Sequence, residues 1–157
     1  MNIKMRTLAT LALGVLTIGL FSSSQSVQAF GDCQKVKGTL NAVNNGSGTT
    51  GVITQGGKLN GTTLAVYTSG FTPTSDPATF SFTDDLSITT DKGVLITHNV
   101  AIFDVARGLF TAIARIDPVA STGDFAGATG VLYLNGQTTD GGATVQAEIT
   151  GKICFAN

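Results

Sequence analysis

The sequence predicts an all-β protein, an antiparallel barrel of roughly eight strands that is closed or nearly closed, with its termini joined by a disulfide. Three observations lead to that expectation. Short segments of alternating apolar and polar residues recur along the chain, with turn residues between them. The composition is rich in glycine and threonine and low in charge, without a long run of helix formers. Two cysteines, Cys33 and Cys154, bracket the region that carries those segments.

Strands are expected at about residues 35–43, 50–55, 62–69, 78–90, 94–103, 109–116, 131–136 and 143–153. In the first, Val36, Gly38, Leu40 and Ala42 share a face. The longest, ATFSFTDDLSITT, puts Phe80, Phe82, Leu86 and Ile88 on one face and Thr79, Ser81, Thr83, Asp85, Ser87 and Thr89 on the other. The next groups Val94, Ile96, Val100 and Ile102, and the one after it Phe110, Ala112, Ala114 and Ile116. The last groups Val145, Ala147, Ile149 and Ile153. One apolar face per strand is what an antiparallel sheet with one buried side requires.

Turn residues suggest the pairing. Asp91-Lys92-Gly93 reads as a three-residue hairpin loop with glycine in the left-handed position. That loop sets Thr90 opposite Val94, Ile88 opposite Ile96 and Leu86 opposite His98, so that the two apolar faces coincide. Val105-Ala106-Arg107-Gly108 reads as the following turn, and Asn135-Gly136 with Asp140-Gly141-Gly142 marks another. The middle of the chain is then a meander.

A sandwich and a barrel both accommodate such a series. The cysteines favour the barrel. By strand parity Cys33 and Cys154 fall on the outer side, and a bond between them brings the first strand beside the last. In an exported chain an even cysteine count reads as a disulfide, with two free thiols as the alternative. Closing a loop of about 120 residues stabilises a fold by roughly 4 to 5 kcal/mol in the chain-entropy description. Two unclustered cysteines and one histidine make a poor ligand set, so neither a metal nor another cofactor is expected.

Export is itself read from the first 29 residues. Lys4 and Arg6 precede an apolar run from Leu8 to Phe21, and Val27-Gln28-Ala29 offers small residues for cleavage before Phe30. That run is about 14 residues, short of the roughly 20 that span a bilayer, which weighs against a membrane anchor. A secreted or periplasmic protein is expected, with residues 30–157 as a single domain and no membrane association after cleavage. Without Lys4 and Arg6, seven basic residues face ten acidic ones, leaving the chain near −3. No basic patch suggests nucleic acid.

The glycine-rich stretch STGDFAGATGVLYLNG, residues 121–136, invites a phosphate-binding reading. A dinucleotide fingerprint or a P-loop needs a helix N-terminus after its glycines, and a P-loop needs a lysine. Here Gly123, Gly127 and Gly130 lead into a strand with no lysine among them. Tight turning and close backbone approach fit better, with Phe125 plugging one end of the core.

That stretch resembles the glycine-rich element of the allene oxide cyclase and dirigent barrel superfamily. Gly127, Ala128 and Gly130 match, Phe125 takes the aromatic position, and Thr or Ser stands where the element begins with glycine. The segments VLITHNVAIFDVARGLFTAIARI and AEITGKICFA are similar to small secreted bacterial proteins of that kind, so the likeness covers about residues 78–155. It implies an eight-stranded antiparallel barrel with an apolar cavity, often oligomeric. No catalytic residue of the family matches a position here, so the family's chemistry does not carry over.

One constellation follows from the faces alone. Asp84 is the charged residue on the Phe80–Ile88 face, and His98, the single histidine, lies on the apolar face of the neighbouring strand. In the expected register they are diagonal neighbours, roughly 7 to 8 Å apart between backbones. A buried Asp–His pair beside the small Ala112 and Ala114 is what general acid–base catalysis uses. A bulge at Asp84-Asp85 would turn Asp84 outward instead, and a buried pair satisfying itself would be purely structural. The interior set expected to meet a ligand is Phe80, Phe82, Asp84, Ile96, His98, Val100, Ala112 and Ala114. Three functions remain open: an exported barrel binding a small apolar or amphipathic ligand, a cyclase or isomerase acting through Asp84 and His98, and a structural or surface-interaction protein with a filled core. Expected partners are that small ligand and, from the resemblance, further copies of the chain.

Overall fold

A computed structural model describes residues 32–156, so the expected signal segment lies outside the described residues. Eight long strands follow one another: β1 (Cys33–Asn44), β2 (Gly48–Thr54), β3 (Gly61–Tyr67), β5 (Thr79–Thr90), β6 (Gly93–Asp104), β7 (Leu109–Ile116), β8 (Thr129–Thr139) and β9 (Thr144–Cys154). A two-residue strand, β4 (Thr72–Pro73), precedes β5 and pairs with its first half, while β3 pairs with its second half. Each long strand pairs antiparallel with the next, and β9 returns to β1, closing an eight-stranded up-and-down barrel. Cys33 and Cys154 are register partners in that closing pair and are bonded, across 121 residues of chain. Closure by a first-to-last pair removes the exposed edges that an open sheet would leave.

The inward faces follow the expected alternation in β1, β5, β7 and β9, where Leu40, Ala42, Leu86, Ile88, Ala112, Ala114, Ile116, Val145, Ala147, Ile149 and Ile153 are buried. β5 carries no bulge. Its ladder with β6 is continuous from Thr79 to Thr90, so Asp84 keeps its inward place.

β6 departs from expectation by one residue. Thr90 pairs with Gly93 across a two-residue turn of Asp91-Lys92, which puts Ile88 opposite Leu95, Asp85 opposite His98 and Asp84 opposite Asn99. A one-residue shift exchanges the faces of a strand. Leu95, Thr97, Asn99 and Ala101 are therefore buried, whereas Ile96 and Val100 lie on the outer face, Val100 fully 59% exposed. The glycine that suggested a three-residue loop has another purpose. Gly93 (φ 140°) lies against the 122–123 backbone, where a Cβ would come within 2.2 Å of the Thr122 carbonyl oxygen. Asn135-Gly136 likewise is no turn; it sits inside β8, where Gly136 passes close to the Gln146 carbonyl.

The two ends of the barrel differ. At one end a 3₁₀ turn (Gly57–Leu59) between β2 and β3 and another (Gly123–Phe125) between β7 and β8 insert Leu59 and Phe125, both fully buried. They pack with Ile88, Leu95, Leu132, Ile149 and Ile153 into one hydrophobic core. The glycine-rich stretch thus turns the chain and plugs the barrel. The opposite end carries the β1–β2, β3–β4, β6–β7 and β8–β9 connections, and there the interior is hollow.

A candidate ligand cavity in the open half of the barrel

Eight strands enclose an interior wide enough either to be filled by side chains or to hold one small ligand. This barrel does each in one half. The open half contains a cavity of about 200 Å³. Its wall is built from inward positions of all eight long strands: Leu40 on β1, Ala65 and Tyr67 on β3, Phe82, Asp84 and Leu86 on β5, Asn99, Ala101 and Phe103 on β6, Phe110 and Ala112 on β7, Leu134 on β8 and Val145 on β9, with Thr49 from β2. Asn44, Thr138, Gly141 and Gly142 form the rim with Phe71, which stands on the loop before β4.

Aromatic side chains concentrate on one side. Phe71 and Phe82 have ring centroids 4.6 Å apart, and Tyr67 meets each of them edge-on at 5.4 Å. The loop that carries Phe71 is tied to β5: the Thr68 N–H donates to the Thr83 carbonyl (2.9 Å), and the Thr83 N–H donates to Ser69 Oγ (2.8 Å). Such offset and edge-to-face contacts add to the burial of the rings themselves.

Asp84 stands in this apolar wall with only 7% of its surface exposed, and it is the one charged residue among those lining the cavity. Asn99 Nδ2 donates to Asp84 Oδ1 (2.7 Å), and the Thr97 hydroxyl donates to Asn99 Oδ1 (2.7 Å), which fixes the amide orientation. Among the described residues Asp84 Oδ2 has no hydrogen-bond partner. Burial pushes the Asp84 carboxyl up to about 6, against the lowering effect of the Asn99 bond and with some help from the adjacent Asp85 charge. Burial and the nearby Asp84 charge raise the Tyr67 phenol as well.

His98 is elsewhere. It lies on the outer face, with Nδ1 2.6 Å from Asp85 Oδ1 and Nε2 3.1 Å from Asp117 Oδ2. A neutral imidazole carries one N–H, so both bonds require the protonated ring. These bonds raise the His98 pKa. Asp117 is lowered chiefly by the Ala120 and Val119 N–H groups and then by His98. The Asp84–His98 pair is therefore not formed: the wall of the barrel separates them, because the hairpin has two turn residues rather than three. Among the described residues no cluster of three or more His, Cys, Asp or Glu is arranged to hold a metal.

Of the residues expected to meet a ligand, Phe82, Asp84 and Ala112 line the cavity. Ala114 points inward but is fully buried below it, and half-buried Phe80 lies beyond its wall, opposite Pro73. Ile96, His98 and Val100 face outward. Tyr67, Phe71, Asn99, Ala101 and Phe103 belong to the site without having been expected there. Asn99, Ala101 and Phe103 share one parity and were legible as a face only with β6 in its true register.

Fold and site together define a closed up-and-down β-barrel, plugged at one end and hollow at the other, with one carboxyl group, Asp84, and one phenol, Tyr67, as the ionisable groups lining the hollow. No protein-family model matches this chain, and no curated protein matches it.

Proposed function

We propose that this protein is an exported barrel that binds a small, mainly apolar ligand inside its open half. The observation that carries the reading is the cavity of about 200 Å³, walled by aromatic and small aliphatic side chains around one oriented polar pair, Asp84 and Asn99. Such a site is apolar for affinity and polar at one point for orientation. Its size suits one small molecule, since an apolar cavity of about 150 Å³ holds benzene. The resemblance to the allene oxide cyclase and dirigent barrels supports the same reading, because an apolar interior cavity is what that likeness implies. Export is supported by the apolar N-terminal run and by the disulfide, which persists in oxidising compartments.

Small residues decide the volume. Ala112 and Ala101 lie opposite one another on β7 and β6, and both line the cavity. Toluene titrated into the oxidised protein should shift the methyl resonances of Ala101 and Ala112 saturably. In an Ala112→Leu variant, which fills the cavity, the Ala101 shift should vanish while the fold remains. If toluene leaves the lining methyls of the wild-type protein unmoved at saturation, the cavity binds nothing of this class and the proposal is wrong.

A further inference from the structure

We propose that the ligand is a small organic cation, a primary ammonium group on a single-ring or similarly short apolar body, with the ammonium against Asp84 and the body among the aromatic rings. This rests on the cavity reading above and names its ligand class. Asp84 is more than nine-tenths buried, faces the cavity, and leaves Oδ2 free of any described partner. A buried carboxylate without a counter-ion is costly, and the wall offers it no lysine, arginine or histidine. Asn99 supplies one neutral donor, to Oδ1, and the Thr97 hydroxyl holds the amide oxygen and so fixes that orientation. An ammonium brings the missing charge and a hydrogen bond to Oδ2, and charge-assisted bonds of this kind are roughly twice as strong as neutral ones.

The rings beside the carboxylate favour the same ligand. Tyr67 is the register partner of Asp84 on β3, and its ring contacts those of Phe71 and Phe82. Ring faces attract cations, most strongly where water is excluded. An anionic ligand meets repulsion from Asp84, and a neutral alcohol satisfies Oδ2 without cancelling its charge.

The groups facing Asp84 restrict how pH acts on the site. From β3 it is Tyr67, which burial keeps protonated; from β6 it is uncharged Asn99, and Thr97 behind it; along β5 it is Asp85, turned outward to His98. Loss of amine binding on acidification therefore reports protonation of Asp84, because an aliphatic amine stays charged until about pH 10.

Phenethylamine, 2-phenylethanol and phenylacetate share a body and differ in charge, and calorimetric titration of the oxidised full barrel with each at pH 7.5 separates the outcomes. Phenethylamine should bind about tenfold or more tightly than 2-phenylethanol, and phenylacetate weakest of all. The amine preference should disappear in Asp84→Asn, and in the wild-type protein it should fade between pH 7.5 and pH 5. A smaller preference at pH 7.5, a preference for phenylacetate, or an amine preference kept by Asp84→Asn overturns the cation assignment while the cavity reading stands. If none of the three binds and toluene also fails, the cavity reading itself is lost.

Discussion

Replacing Asp84 by asparagine should make the protein more stable at neutral pH, and by an amount that depends on pH in a defined direction. In the native state the carboxyl keeps its proton up to about pH 6, because burial disfavours the charged form; its ordinary value is 3.8. Between those two pH values the native state binds more protons than the unfolded chain, so the stability contributed by this group falls as pH rises through the window. The displacement is about two pH units, and each corresponds to about 1.36 kcal/mol, so the ionised carboxylate costs up to about 3 kcal/mol above pH 6. The cavity reaches the surface at exposed Gly141 and Phe71, and water entering there reduces that figure towards about 2 kcal/mol. Asparagine is isosteric, still accepts the Asn99 hydrogen bond at the same oxygen, and carries no charge. Urea unfolding of the disulfide-intact wild type and Asp84→Asn, at pH 4 and pH 7.5, measures the difference directly. The variant should gain roughly 2 kcal/mol more relative to wild type at pH 7.5 than at pH 4. An equal difference at the two pH values would show that Asp84 titrates as an ordinary surface carboxylate, and the burial argument would fail. A residue that weakens its own fold in this way is what the proposed binding role would entail, since sites shaped for function commonly cost stability.

Other expectations follow from the rest of the barrel. His98 has a raised native pKa, so its contribution is fully present below its ordinary 6.5 and is lost as pH rises through the native value; His98→Gln should lower the Tm at pH 5.5 and leave it unchanged at pH 9.5, and an equal loss at both would refute the ionic origin. Phe125→Ala opens a hole in the plugged end and should cost about 3 to 5 kcal/mol in urea unfolding, whereas a loss below about 1 would mean that the plug is not part of the cooperative core. Removing the bond between Cys33 and Cys154 with paired serine substitutions frees a loop of 121 residues and should cost about 2 to 5 kcal/mol; an unchanged urea midpoint would contradict that.

Much of this architecture is legible in the chain, and the reason is period two. In β5 the sequence TFSFTDDLSITT alternates so regularly that its inner face is plain even with Asp84 on it. In β7 and β9 the same holds, and the two cysteines at matching parity indicated the closing pair. β6 is different. Both of its parities carry apolar residues, with Val94, Ile96, Val100 and Ile102 on one side and Leu95, Ala101 and Phe103 on the other. Alternation alone then cannot choose a face, and the choice passes to the turn. Gly93 was a misleading guide, since its missing Cβ makes room for the Thr122–Gly123 backbone rather than for a left-handed turn residue.

The sequence by itself determined the class of fold, the strands, the closing disulfide and the inward place of Asp84, because these depend on local alternation and on parity along single strands. Only the tertiary structure decided what Asp84 faces. Its partner is Asn99 and not His98, since the register between β5 and β6 turns on one residue in a hairpin and on a contact made some thirty residues further along the chain. The hollow was also a tertiary outcome. It exists because Leu59 and Phe125 enter from loops at one end while the other end receives the smaller Ala65, Ala101 and Ala112, and such a balance of volumes belongs to the whole barrel rather than to any one strand.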